Sequence, residues 1–284
     1  MTLLQQIYNL LRTNSEKLSD DSIFGGKIGS AIISAFVSTD NISEDSLTAL
    51  NGLLDFRKGD ISIEVWKLWI VATLLENQII NLPNGYNFEQ LVREAISQSR
   101  TYYYCSPVKL TRDLILYPFG LVSLKALKLI DGIPFYSLVE WIVLFMRDCE
   151  YFLTRSVPHI HDHTTIKASV LHSTLRFMQL AEFQKVYPWK AHQLQELIKE
   201  MRYDRNGSRP VDNYILDYMI GKRTAKHVWS EKETGYIGTI AFIYDMPELF
   251  ADVFRPIDVS DTQVDNLVGI GLGLLSNSIN GTKL

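Results

Sequence analysis

Gly25-Gly26-Lys27-Ile28-Gly29-Ser30-Ala31-Ile32-Ile33, Gly235-Tyr236-Ile237-Gly238-Thr239-Ile240-Ala241 and Gly269-Ile270-Gly271-Leu272-Gly273-Leu274-Leu275 are versions of one pattern. Pro118-Phe119-Gly120-Leu121-Val122-Ser123-Leu124 is a partial fourth. Each sets glycine at or near an expected helix start and follows it with small and aliphatic residues. A glycine inside a helix costs about 1 kcal/mol relative to alanine. A chain that accepts this cost repeatedly needs close backbone approach there, and helix N-termini crowding around an axis would supply the need. The expected fold is therefore all-α: a toroid of alternating inner and outer helices, the inner ones glycine-started. An irregular bundle with glycines at ordinary turns is the competing arrangement.

Outward from these segments, apolar periodicity indicates helices nearly everywhere. Leu3, Leu4, Ile7, Leu10 and Leu11 share one face. Ser22 is a candidate cap for a second helix carrying the stripe Ile28, Ile32, Ile33 and Phe36. Ser43-Glu44-Asp45-Ser46 opens a third, with acids where the helix dipole favours them. Further helices are expected over 61–80, 88–103, 110–130 (interrupted at Pro118), 135–153, 164–186, 189–203, 210–220, 236–244 and 265–279. This makes about a dozen helices joined by short turns. No strand alternation is seen, and Asn84-Gly85 and Asn206-Gly207 read as loops between helices. No Pro/Gly/Ser-rich linker divides the chain, so residues 1–284 are expected to form one domain.

The bulk properties exclude several classes. Of 284 residues, 46% are apolar, enough for a large core. A net charge of −4 without a basic run argues against nucleic acid as a partner. The two cysteines, Cys105 and Cys149, do not make a disulfide framework. The first residues lack a positive region ahead of an apolar one, and no apolar run reaches about 18 residues. A cytoplasmic protein without a membrane span is expected.

The glycine segments resemble those that begin the inner helices of lanthionine synthetase C-like proteins, which are α/α toroids. Ile23-Phe24-Gly25-Gly26-Lys27-Ile28-Gly29-Ser30-Ala31-Ile32 is similar to the family's first copy, and 268–275 to its C-terminal copy. The resemblance is clearest at the two ends of the chain, which is also shorter than expected for the family. It implies a role in ribosomal-peptide maturation. Family enzymes close thioether rings, with zinc activating a cysteine thiol. Their zinc is held by two cysteines and a histidine, in Cys-Tyr-Gly and Cys-His-Gly contexts. Here the counterparts are Leu116-Tyr117-Pro118-Phe119-Gly120 and Leu171-His172-Ser173. Leucine stands where each cysteine should be. The resemblance thus implies a cavity lined by His172 and Tyr117 but without the standard zinc-dependent chemistry. Its partner would be a precursor peptide or a partner biosynthetic enzyme.

Other clusters admit both a functional and a simpler structural role. Pro158-His159-Ile160-His161-Asp162-His163 would direct three imidazoles to one side if extended, so His159, His161 and His163 are candidate metal ligands, for zinc among others. An ordinary polar loop, with Asp162 or Thr164 capping the next helix, is the simpler reading. Tyr102-Tyr103-Tyr104, with Arg100 and Lys109 nearby, is a candidate peptide-binding patch through Tyr102, Tyr103 and Arg100, or a helix end packed on its neighbours. Cys105 and Cys149 lack a basic neighbour in sequence and read as buried apolar residues. Asp20-Asp21 and Glu44-Asp45 read as first-turn acids rather than magnesium ligands.

No cofactor is therefore expected, and three readings stay open. One is a zinc-free relative of the cyclases that binds peptide. Another is an enzyme using a rearranged metal site or metal-free acid–base chemistry around histidine. A helical scaffold unrelated to peptide modification is the third reading.

Overall fold

Seven consecutive buried residues, Leu267 to Gly273, run through the middle of one helix near the C-terminal end of the chain. Seven residues make almost two turns, so this stretch of the helix is enclosed on every side. The computed structural model describes residues 2–18, 23, 25–38, 44, 46, 48–50, 74–75, 188–189, 192, 210–219, 227–243 and 246–279. These residues are helical or in connecting turns, with no strand among them. The all-α expectation holds for this part of the chain.

The helices are α1 (Leu3–Thr13), α2 (Lys27–Val37), α3 (Pro210–Met219), α4 (Glu231–Ile243), α5 (Pro247–Val253) and α6 (Val264–Ile279), with a short 3-10 turn at Ser15–Lys17. Contacts divide the chain into two compact units. One joins Met1–Asp55 to Thr224–Leu284, and the other is Phe56–Arg223.

The first unit is built around α6, which touches α4 most extensively and also α1, α2 and α5. α1 begins where its apolar face predicts. The Thr2 hydroxyl caps it by accepting from the Gln5 N–H at 3.2 Å. Ile7 and Leu11 lie in the core, and Arg12 sits over the Tyr8 ring, 5.9 Å from its centroid. α2 begins later than a cap at Ser22 would place it. Gly26 is its N-cap, and Gly25 precedes it with φ +79°, a left-handed conformation that suits glycine. Ile28, Ile32 and Ile33 of the expected stripe are buried, while Phe36 is half-buried. In the third expected helix, residues 44, 46 and 48–50 are helical, with Glu44 exposed as a solvated first-turn acid should be.

α4 starts five residues before the expected Tyr236. Its start is a capping box. The Ser230 hydroxyl accepts from the Glu233 N–H (3.3 Å), and the Glu233 carboxylate accepts from the Ser230 N–H (3.0 Å) and hydroxyl (2.8 Å). Gly235 and Gly238 therefore lie inside the helix, not at its start. At the other end, the Met246 N–H reaches back to the Ala241 carbonyl at 2.8 Å, a six-to-one closure of a helix C-terminus. Pro247 then opens α5 in the first-turn position where its missing N–H costs nothing.

In the second unit, Leu74 and Leu75 are helical, as are Pro188, Trp189 and His192, within or beside expected helices. α3 starts at Pro210 as expected and buries Val211, Ile215 and Asp217. Tyr214 and Tyr218, one turn apart, stand with ring centroids 6.3 Å apart. The expected helices over 88–103, 110–130, 135–153 and 164–186 lie outside the described residues.

Candidate functional site

Of the polar residues buried in the first unit, Ser34 lies on α2 and Thr262 just before α6, while Thr234, Thr239, Ser276 and Asn277 lie on α4 and α6. Glycine explains how these helices come so close. A β-carbon on Gly269 would strike the Gly235 carbonyl oxygen, and one on Gly238 would strike the Gly269 carbonyl. One on Gly235 would come within 2.9 Å of the Asn266 carbonyl. All three obstacles are backbone, which cannot rotate away. On another side of α6, a β-carbon on Gly273 would press on the Phe250 ring at 2.6 Å. The first glycine segment joins the same assembly. Gly25 faces Asp265, and a β-carbon on Gly29 would strike Val268.

Four side chains bring polar atoms into this packed region. Thr239 donates to the Gly235 carbonyl at 3.1 Å, one turn back in its own helix. Ser276 donates across the helices to the Ala241 carbonyl at 3.3 Å. Thr234 is also buried. Asn277, 1% exposed, donates through Nδ2 to the Gly273 carbonyl at 2.9 Å, while its Oδ1 accepts from no group among the described residues. That bond fixes which way the amide faces, since the reversed amide would set oxygen against oxygen. Hydroxyls bonded to carbonyls and a neutral amide offer neither a proton-transfer group near neutral pH nor an activated nucleophile. This region holds helices together.

Ionisable groups in the described residues are mostly at the surface. Asp258 lies in an exposed turn, where the Ser260 hydroxyl (2.7 Å) and then its N–H (3.0 Å) hold the carboxyl below its ordinary value. His227 packs against Trp229 with ring centroids 4.3 Å apart and ring planes tilted by 52°, and both His192 and His227 are exposed. Among the described residues no three His, Cys, Asp or Glu side chains gather as a metal site would require. Nor is any described helix long and apolar enough to cross a membrane.

The candidates read from sequence fall elsewhere. His172 and Tyr117, the patch residues Tyr102, Tyr103 and Arg100, the cluster His159, His161 and His163, and both cysteines lie outside the described residues. What sequence reasoning missed is the buried pair Ser276 and Asn277. The signal was two polar residues directly following the apolar run of 267–275 in a helix enclosed on all sides.

Comparison with protein-family models, with curated proteins and with solved structures finds no match for this chain.

Proposed function

We propose that this chain is a lanthionine synthetase C-like protein of peptide maturation that binds a precursor peptide, or the enzyme that modifies it, without the family's zinc-dependent cyclisation. One observation carries the fold part of this reading. The first glycine segment packs on the last: Gly25 on Asp265, and Gly29 on Val268 and Leu272. In a closed α/α toroid the first and last repeats are neighbours, so their mutual packing supports closure.

The functional part rests on chemistry. Zinc needs thiolate, imidazole or carboxylate donors. Leu116 and Leu171 offer no lone pair, and His172 alone is one ligand. The donor set does not fit the metal, and no reaction step is assigned to it. A toroid that keeps a histidine and a tyrosine facing its cavity but loses the metal keeps a binding surface. In this reading His172 and Tyr117 line that cavity, and Arg100, Tyr102 and Tyr103 contact the peptide. A cytoplasmic location is part of the proposal, in line with two cysteines and no disulfide framework.

The test is calorimetric titration of the purified full-length protein with a synthetic leader peptide encoded beside its own gene. Binding that survives a chelator, and weakens on changing Tyr102 and Tyr103 to Ala, is expected. Absence of binding overturns the peptide role. Stoichiometric zinc that disappears in His172→Ala overturns the zinc-free role and restores catalysis as the leading reading.

A further inference from the structure

We draw no further inference here: the strongest candidate, the buried Asn277 side chain near the C-terminal end of α6, has an Oδ1 with no partner among the described residues, but nothing there shows a cavity or a second polar group facing that oxygen.

Discussion

Gly269 lies against the carbonyl oxygen of Gly235 with no room for a methyl group between them. The contact is backbone to backbone, so neither partner can turn aside. This sets an order among the glycines of α4 and α6 that depends on what each one faces. Gly269→Ala and Gly238→Ala should each cost about 3 kcal/mol or more, the upper end of overpacking, because two helices must separate. Gly271 faces the terminal methyl of Ile33 at 2.6 Å, a flexible group. There the propensity gain of alanine, about 1 kcal/mol, opposes the crowding, and Gly271→Ala should stay within about 1 kcal/mol of the parent. Urea midpoints at constant slope would read the order. Equal losses at Gly269 and Gly271 would contradict it.

Gly273 is the intermediate case, because its obstacle is the fully buried Phe250 ring. Gly273→Ala and Phe250→Leu should each destabilise. The double variant should lose less than the sum by about 1 kcal/mol or more, since the shorter side chain makes room for the new methyl. Simple additivity in the cycle would mean the two groups do not meet.

The capping box should be worth about 1 kcal/mol to the first unit. Ser230→Ala is expected to lower the unfolding midpoint, while Ser230→Asp, which keeps an acceptor for the Glu233 N–H, should recover much of the loss. An unchanged midpoint in Ser230→Ala would show that packing on α6 alone fixes where α4 begins.

A buried acceptor without a donor costs about 1–3 kcal/mol, whereas one neutral hydrogen bond contributes about 1 kcal/mol. Asn277 carries one of each. Asn277→Leu removes both and adds apolar burial with the same number of heavy atoms, so it should raise the unfolding midpoint. Asn277→Asp should lower it, and the loss should grow as pH rises, because burial penalises the charged carboxylate. A fall in stability for Asn277→Leu would indicate that its amide has a role beyond α6.

For Asp258 the sign of the pH effect follows from a folded-state pKa held below its unfolded value by Ser260. The stabilisation is present above the unfolded value and disappears as pH falls through the folded one. The group is fully exposed, so NMR of the carboxyl carbon is the appropriate probe. Its titration midpoint should move up in Ser260→Ala, and an unmoved midpoint would remove Ser260 as the cause.

Much of the first unit was legible because strong one-sided periodicity, as in Leu3, Ile7 and Leu11, needs no knowledge of partners. The start of α4 was misread because Gly235 looked like a boundary. The Ser230-x-x-Glu233 box was the better signal, and the propensity cost of Gly235 and Gly238 is outweighed by the packing they allow. α5 was not expected at all: seven residues are too few to show a period, and its only local marker is Pro247. The candidate cavity residues, from Tyr117 to His172, rest on sequence resemblance. Periodicity finds the face a helix buries, but not which distant side chains meet across a cavity.

The first unit also has a history during synthesis. Ile7, Leu11, Ile32 and Ile33 are synthesised well before the helix that packs on α1 and α2, since α6 is made only after the whole of Phe56–Arg223. At roughly 5–20 residues per second, that wait is on the order of ten seconds or more. Throughout it, the apolar residues of α1 and α2 lack their α6 partner, and a holding chaperone would find them. For this unit, the last helix translated completes the burial of the first two.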